Sequence, residues 1–303
     1  MTEPFVFKYI PKEFEEIVGL NIEPFKRMIS EPTSMPSLLF YGPKGTGKSS
    51  VARLITKKLE PVNVLKINGS SERGIDVIRD RVEAFVSSAS SVPGKPKIVW
   101  VEEFDNMSQD AFKSLRSLME AYMRNARFIC TANYLNKIPE PIQSRFTVYE
   151  FGKHTVENIF PRAKQICEEE DIEVDDTVLE QLIQSCNGDL RSVVKNLQKL
   201  SLDDSRITQE KVLNMRSVLD IVYEKLFSNE WSYLRIEIPK LSPDYNDLLV
   251  ELNDKFFDSD LSLTKKAKIN DIIAKGQVDM AFSFDKDICA SAIFYRIIVV
   301  LME

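Results

Sequence analysis

A short glycine-rich stretch holds the residues whose types and spacing point most directly to chemistry. Gly42 and Gly47 enclose four residues and are followed by Lys48 and Ser49. The stretch reads Gly42, Pro43, Lys44, Gly45, Thr46, Gly47, Lys48, Ser49, with Ser50 next. In this pattern backbone N–H groups close around phosphate oxygens, the lysine reaches the β- and γ-phosphates, and the serine hydroxyl binds Mg²⁺. The spacing therefore predicts a loop that binds nucleotide phosphates.

The segments on either side of this loop match what phosphate binding requires. Leu38–Tyr41 is a short apolar run that predicts a buried strand, and Ser50–Leu59 places Val51, Leu54 and Ile55 on one helical face. The amino end of that helix would add a positive dipole end to the loop. A turn-rich loop that fits the pattern by chance is the alternative, and the correct strand and helix argue against it.

Two acids at the end of an apolar run form a second candidate site element. Ile98–Val101 predicts a buried strand, and Glu102 and Glu103 follow it. Beside a phosphate-binding loop, the first acid would orient Mg²⁺ and the second would polarise the attacking water. A buried strand that ends in an acidic surface turn is the alternative for these two residues alone.

Three further polar residues could complete a hydrolytic site. Asn133 follows the apolar run Phe128–Thr131, where its amide could reach the γ-phosphate or the water, although a turn asparagine is the simpler reading. Arg145 lies on a loop from which it could reach a neighbouring subunit's γ-phosphate. Asp189 is a candidate helix N-cap, which places Arg191 in the first turn of the helix. A positive charge is unfavourable at this positive end of the helix dipole, so Arg191 could have an anionic partner. For Arg145 and Arg191, the alternative is an ordinary surface arginine.

The order of apolar runs predicts a parallel α/β sheet followed by helical segments. The predicted strands are Leu38–Tyr41, Val62–Ile67, Ile98–Val101, Phe128–Thr131 and Val148–Phe151. The predicted helices are Ser50–Leu59, Gly74–Ala89, Gln109–Tyr122, Thr155–Glu170, Thr177–Ser185 and Asp189–Leu202, with a chain break at Pro93–Pro96. We expect no strand after Phe151. The expected domains are a nucleotide-binding domain at 1–151, a helical lid at 152–206 and a helical oligomerisation domain at 207–303, which ends in an apolar helix.

Composition narrows the class of protein further. The chain has 303 residues, 44% hydrophobic content and a net charge of −6, which argues against coating nucleic acid by bulk attraction. No run of about twenty apolar residues is present, and we expect no secretion signal. The four cysteines are widely spaced and the single histidine, His154, is expected at a surface turn, so no metal centre built on them is predicted. A cytoplasmic protein is the simplest expectation.

Taken together, these segments resemble the AAA+ ATPases and, among them, the sliding-clamp loaders. Ser71–Arg79 looks like the signature of the small subunits of replication factor C. Leu115–Tyr122, Arg127–Ile129 and the stretch from Asn136 through Arg145 are similar to the same family. The compact length and the segment Ser-Leu-Met-Glu-Ala-Tyr also resemble the large subunit of tailed-bacteriophage clamp loaders.

The resemblance extends over about residues 8–191 and implies a nucleotide site within one chain. Tyr9, Val18 and Gly19 would pack on adenine. The catalytic and metal positions of the same site would be Lys48, Ser49, Glu102, Glu103 and Asn133. The implied cofactors are ATP and Mg²⁺, with Ser49 and Glu102 toward the metal.

The resemblance also implies roles for several arginines. Arg145 would be the arginine finger that acts in trans on the next subunit, and Arg191 would be the sensor arginine of the lid in cis. Arg73 would be a basic switch that couples DNA to Glu103. The positions assigned to DNA contact or switching are Arg73, Arg79, Arg81 and Ser108. By composition alone, the same segment would read as a solvated helix face of mixed charge.

This sequence departs from the family pattern at several positions. Glu102 stands where the family has Asp, so its carboxylate reaches one methylene further toward the metal. Ile10 replaces the usual Arg near adenine, which removes a polar contact. Phe146 replaces a Cys after the finger, and Phe112 stands where Gln is frequent, which would weaken relay of the DNA signal between subunits.

The function implied is that of an ATPase subunit in a hetero-oligomeric, pentameric clamp loader. ATP binding would hold a ring-shaped sliding clamp open, and primer–template DNA would trigger hydrolysis and release. No membrane contact is expected, and the setting would be the host cytoplasm if the protein is viral. Two alternatives stay open: a non-hydrolysing structural subunit, and a AAA+ remodeller or helicase of another clade.

Overall fold

The computed structural model describes residues 3–59, 63–90, 92, 95–202, 204–213, 218–241 and 243–303. The expected strand start at Val62 and the break at Pro93 and Gly94 lie outside the described residues. The chain divides into two compact units, Met1–Gln209 and Glu210–Glu303.

A five-stranded parallel sheet organises the first unit. Its strands are β1 (Leu38–Tyr41), β2 (Val64–Asn68), β3 (Lys97–Glu102), β4 (Ala126–Ala132) and β5 (Thr147–Glu150). They lie in the order β2-β3-β4-β1-β5, and every adjacent pair is parallel. Parallel pairing brings the carboxyl ends of all five strands to one edge of the sheet, which is where ligands bind in open α/β folds. The predicted α/β P-loop sheet is confirmed.

Both faces of the sheet are covered, as parallel sheets require. Val99 and Val101 of β3 pack into a core that also contains Phe104 and Leu115. Ile98 and Trp100, which alternate with them along the strand, pack on the opposite face. This face also receives residues of the helix that follows the phosphate loop. Because side chains alternate along β3, only every second one lies on the face of the sheet that this helix covers.

Helices flank the sheet and form the lid in the first unit. They are α1 (Phe5–Lys8), α2 (Glu23–Ser30), α3 (Lys48–Lys58), α4 (Ala84–Ser87), α5 (Gln109–Tyr122), α6 (Glu140–Gln143), α7 (Val156–Glu169), α8 (Asp176–Ser185) and α9 (Leu190–Ser201), and α10 (Gln209–Leu213) begins at the boundary between the two units. Thr155 and Asp189 cap α7 and α9 by accepting hydrogen bonds from backbone N–H groups.

A helix lies where one was expected at Gly74–Ala89, but most of it, Val77–Glu83, is π-helical and continues into α4. The expectation that no strand follows Phe151 is wrong. Two strands of two residues each, β6 (Glu173–Val174) and β7 (Arg206–Ile207), pair in parallel after Phe151. Strands this short lack the alternating pattern by which strands are recognised in a sequence.

Helices joined by short turns make up the described residues of the second unit. Its remaining helices are α11 (Val218–Phe227), α12 (Trp231–Ile236), α13 (Tyr245–Phe257), α14 (Leu263–Phe282) and α15 (Lys286–Met302). The apolar final helix, α15, buries Ile293, Phe294, Ile297 and Ile298 in the core of its own unit. A Cβ on Gly276 of α14 would lie 2.5 Å from Ile293, so this glycine permits close helix packing. Among the described residues, no helix is long and apolar enough to cross a membrane.

Candidate nucleotide site

The loop between β1 and α3 has a backbone that only glycine adopts freely. Gly42, Gly45 and Gly47 have φ values of 138°, 75° and 93°. A Cβ on Gly42 would also collide with the carbonyl oxygen of Phe151. Side-chain-bearing residues at these positions would strain the loop. The glycine spacing in the sequence therefore reflects the shape of a loop that opens at the amino end of α3.

Lys48 is the buried cation of this loop. Its side chain is enclosed, and Nζ donates hydrogen bonds to the carbonyl oxygens of Gly42, at 2.7 Å, and Pro43, at 2.6 Å. Burial lowers the pKa of Lys48 to about 8, and the negative charge of Asp105 opposes the shift. A cation held by carbonyl dipoles in a desolvated place gains strongly from an anion, which is what a phosphate supplies.

A cavity of about 650 Å³ brings most of the predicted site residues together at the carboxyl edge of the sheet. Those lining it are Tyr9, Val18, Lys44, Gly45, Thr46, Gly47, Lys48, Ser49, Ser50, Glu102, Glu103, Asn133 and Arg191. Gly19 lines an adjoining pocket with Tyr9 and Val18. Gly42 and Pro43 belong to the loop and hold Lys48. Arg73, Arg79, Arg81, Ser108 and Arg145 are not among the described residues that line the cavity.

At the end of the cavity near α1, Tyr9 has neighbours that the sequence did not indicate. The Tyr9 hydroxyl donates to Glu170 at 2.6 Å, and burial together with this carboxylate raises the pKa of Tyr9. The guanidinium of Arg162 lies 5.9 Å from the Tyr9 ring centroid and pairs with Glu16 at 2.9 Å. The lid thus contributes Arg162 to the wall where Ile10 offers no polar group.

Glu103 adopts an unusual backbone conformation at the end of β3. Its φ of 53° is left-handed, which costs about 1–3 kcal/mol for a residue other than glycine. Its carboxylate accepts a hydrogen bond from the Ser70 hydroxyl and another, at 3.4 Å, from the Asn106 amide. The strain is found at the acid predicted to polarise water, which is where functional sites concentrate such strain.

Among the described residues, Arg73 does not pair with Glu103, the acid to which the resemblance would couple it. Ser70 takes that place because the turn after β2 is joined to β3: the backbone N–H of Gly69 donates to the Glu102 carbonyl at 2.7 Å. The Arg73 carbonyl instead accepts from the Ser108 N–H at 3.0 Å. Ser108 caps α5, and Arg81 pairs with Glu72.

Asp105 is a buried acid that sequence reasoning missed. Its Oδ2 accepts from the backbone N–H groups of Asn133, at 3.3 Å, and Tyr134, at 3.1 Å. The contact joins the loop after β3 to the loop that carries Asn133, so Asp105 holds the Asn133 backbone in place. A third acid so soon after the strand was the available signal, but an acidic turn explains it equally well.

The lid reaches the phosphate loop through the amino end of α9. Asp189 accepts from the Ser192 N–H at 3.1 Å and from its hydroxyl at 2.9 Å. A Cβ on Gly45 would collide with the Asp189 carboxylate, so the absence of a side chain allows this approach. Arg191, two residues further along the chain, lines the cavity, and its charge contributes to the lowered pKa of Lys48.

His154 was expected at a surface turn, and that expectation is wrong. It lines the cavity and is half-buried, because the chain passes the phosphate loop as it enters the lid. Burial lowers the pKa of His154, while Asp189 opposes the shift.

Arg145 lies away from the cavity of its own chain. Its guanidinium pairs with Glu120 of α5 and donates to the Pro141 carbonyl. Arg116 approaches the same Glu120 carboxylate at 3.4 Å, and Arg145 is the main cause of the lowered pKa of Glu120. The finger candidate is therefore held by a residue of the helix beside it.

The donors available for a metal fit Mg²⁺. The Ser49 hydroxyl and the Glu102 carboxylate line the same cavity, and hard oxygen ligands are those that Mg²⁺ prefers. No group of three His, Cys, Asp or Glu side chains in the described part of the chain could hold a metal by itself.

Two family models match the chain in sequence. The ATPase family associated with various cellular activities (AAA) matches residues 38–152, and the RFC1-like AAA+ ATPase lid domain matches residues 156–213. Replication factor C small subunit 2 of Pyrobaculum aerophilum is 40% identical over 218 residues, which cover 70% of this chain and 68% of the relative. Replication factor C small subunit of Staphylothermus marinus is 33% identical over 310 residues, covering 96% and 93%.

The chain belongs to the replication factor C small-subunit family. This confirms the resemblance to AAA+ clamp-loader ATPases. These relatives are archaeal, so a bacteriophage setting stays a prediction. A likeness in fold alone extends to the RuvB Holliday junction branch migration motor of Thermotoga maritima, with a TM-score of 0.58, 17% identity, and coverage of 81% of this chain and 92% of that one.

Proposed function

We propose that the chain is an ATPase subunit of a hetero-oligomeric, five-membered sliding-clamp loader. One observation carries this proposal. A single cavity is lined by the phosphate loop, both strand-end acids, Asn133 and Arg191, while Arg145 lies outside it. That distribution supplies every group in cis for ATP hydrolysis except a finger, which a neighbouring subunit would provide.

Within the cavity, each side chain has a distinct role. Lys48 exchanges its loop carbonyls for β- and γ-phosphate oxygens, and Arg191 adds positive charge from the lid. Glu103 orients the attacking water and accepts its proton, and the Asn133 amide aligns the same water or the γ-phosphate. Ser49 and Glu102 would hold Mg²⁺, which neutralises phosphate charge when bound.

Arg145 would complete the site of the next subunit in the assembly. Reaching a neighbour requires it to leave Glu120, which is half-exposed and already near Arg116. Water screens a pair of this exposure and keeps it weak, so a triphosphate can displace it. Finger placement therefore links hydrolysis to subunit contact.

DNA contact is assigned to the segment that includes Arg73, Arg79, Arg81 and Ser108. The three arginine side chains are exposed or half-exposed, and backbone phosphates are the expected partners of such scattered cations. Arg73 and Ser108 meet through a backbone hydrogen bond, so a shift of Arg73 on DNA would move the turn that carries Ser70 and, through the Ser70 hydroxyl, would disturb Glu103.

The proposed cycle follows from these roles. ATP binding closes subunit interfaces into an arc that holds the clamp open, and primer–template DNA enters the arc. Hydrolysis then releases clamp and DNA. The non-hydrolysing alternative is not favoured, because Lys48, Glu103 and Asn133 all line one cavity.

The test uses the chain assembled with its cognate subunits. ATP turnover is measured alone, with clamp, with primed DNA, and with both. We expect the highest rate with both together. A rate that neither clamp nor DNA changes would contradict the clamp-loader function while leaving the ATPase intact.

A further inference from the structure

Glu102 already has a cation partner inside the nucleotide cavity. The Lys66 Nζ lies 2.7 Å from the Glu102 Oε2, and both side chains line the cavity. The Lys66 side chain is 51% exposed and the Glu102 side chain is 20% exposed. The lysine was not singled out by the sequence, because one lysine in a short strand reads as an outward-facing residue.

The sheet register holds Lys66 beside the acid. Lys66 on β2 pairs with Trp100 on β3, and Asn68 pairs with Glu102. Side chains two residues apart on a strand share a face, so Lys66, Trp100 and Glu102 lie on the same side of the sheet. The Lys66 Nζ also lies 4.2 Å from the Trp100 ring centroid, a cation–π distance.

Two positively charged side chains lie near the Glu102 carboxylate. Arg53 of α3 also lines the cavity, and Glu102 partly opposes the lowering of the Arg53 pKa that burial causes. One carboxylate therefore faces two positive side chains. A divalent cation at Glu102 would meet the repulsion of both, and Lys66 is the one in direct contact.

We propose that Lys66 is a positioning residue that competes with the divalent metal for the Glu102 carboxylate. The consequence is an ATP site that fills with nucleotide before metal and needs a higher free Mg²⁺ concentration than Glu102 alone would require. The longer side chain at position 102 serves this competition, since it carries the carboxylate out to the lysine. The inference rests on the proposed ATP site.

The test measures binding of a non-hydrolysable ATP analogue to the full chain by calorimetry at stepped Mg²⁺ concentrations. Lys66→Met removes the charge and keeps the stem against Trp100. We expect the Mg²⁺ concentration at half-maximal effect on affinity to fall about five-fold, the scale of a partly exposed ion pair. Lys66→Arg should keep the wild-type value. Lys26→Met, which breaks a similar pair with Glu15, is the matched control.

A double-mutant cycle separates competition from a general structural effect. Glu102→Asp draws the carboxylate back from Lys66 and should also lower the Mg²⁺ requirement. Combined with Lys66→Met, it should add little, because both changes remove the same pair. Additive shifts would overturn the proposal.

Three other outcomes would overturn it. Equal Mg²⁺ dependence in Lys66→Met and wild type would show that the lysine does not compete. Weaker analogue binding by Lys66→Met at saturating Mg²⁺ would make Lys66 a phosphate ligand instead. Wild-type chain that binds no analogue at any Mg²⁺ concentration would instead overturn the proposed function together with this inference.

Discussion

Two regions of the same cavity each contain a lysine, but the two lysines differ in burial and in the charge of their partners. In the phosphate loop, Lys48 is buried and held by the carbonyls of Gly42 and Pro43. At the acidic edge, Lys66 is half-exposed and paired with the Glu102 carboxylate. The first cation donates its hydrogen bonds to backbone carbonyls and interacts with the negative charge of Asp105 without pairing with it, whereas the second is paired directly with a carboxylate.

The difference predicts how each region responds to a ligand. An anionic phosphate would give Lys48 a directly bonded opposite charge in a desolvated place, so nucleotide affinity should depend strongly on this lysine. A cation arriving at the acidic edge must exchange with an existing partner, so metal affinity should be modest. Phosphate binding and metal binding are therefore expected to be unequal in strength.

Lys48→Ala should have the largest effect. It removes the buried cation of the phosphate loop, and loss of such a charge partner should weaken ATP binding by about 10²-fold or more. Calorimetric titration with ATP measures it. Lys58→Ala, at the far end of α3 and paired with Glu13, is the control. Wild-type affinity in Lys48→Ala would remove the phosphate-loop half of the comparison.

Glu103→Gln should separate binding from hydrolysis. The amide keeps the shape of the side chain but cannot accept the proton of the water, so turnover should fall about 10²–10⁴-fold while ATP affinity stays near wild type. Single-turnover hydrolysis and calorimetry provide the two measurements. If Glu102→Gln stops turnover and Glu103→Gln does not, the roles of the two acids are exchanged.

A smaller effect should appear as proton uptake. Burial lowers the pKa of Lys48 to about 8, so part of the free protein has a neutral lysine above that pH. A bound phosphate favours the charged form, so ATP binding at about pH 9 should take up a proton, and affinity should fall as the pH rises above about 8. Titrations in two buffers of different ionisation enthalpy measure the uptake. Equal heats at pH 9 would show that Lys48 is fully charged.

The same shift has a defined sign for stability. The unfolded lysine binds its proton up to its ordinary pKa of 10.5, whereas the folded one loses it near 8. Between these values the unfolded state binds more protons, so the Lys48 contribution to the free energy of unfolding rises with pH.

The smallest effect concerns the lid above the phosphate loop. Asp189→Ala removes the N-cap of α9 and should lower the free energy of unfolding by about 1 kcal/mol. Asp175→Ala is a matched control, because Asp175 stands at the N-cap position of α8 without making a side-chain cap hydrogen bond. Denaturant unfolding of both variants measures the difference. Equal losses would show that the Asp189 hydrogen bonds do not stabilise the lid.

The sequence predicted the parallel sheet and the phosphate loop because both depend on local patterns. Apolar runs mark buried strands, and the spacing of Gly42 and Gly47 before Lys48 is set by backbone geometry. The partners across the cavity were not predictable. Lys66 reaches Glu102 through strand register, and Ser70 reaches Glu103 through a turn. Such pairs join residues more than thirty positions apart, and no periodicity within one segment encodes them.

His154 and Asp105 illustrate the same limit. A lone histidine in a Gly-Lys-His turn reads as exposed until the path from sheet to lid carries it past the phosphate loop. Asp105 reads as one more acid in a turn until its contacts with the backbone of Asn133 and Tyr134 are visible. The departures from the family pattern were visible in the sequence. The effect of a glutamate at position 102, however, could be worked out only once its pairing with Lys66 was visible.

The central claim is that one chain supplies the cavity and another supplies the finger, and subunit mixing tests it most directly. Arg145→Ala and Lys48→Ala chains are assembled with cognate subunits separately and as an equal mixture, and ATP turnover is measured. Each variant alone should be nearly inactive. If copies of the chain neighbour each other, the mixture should regain activity at about a quarter of those head-to-tail interfaces, where an intact cavity meets an intact finger. Normal turnover by Arg145→Ala alone, or no recovery on mixing, would contradict the claim.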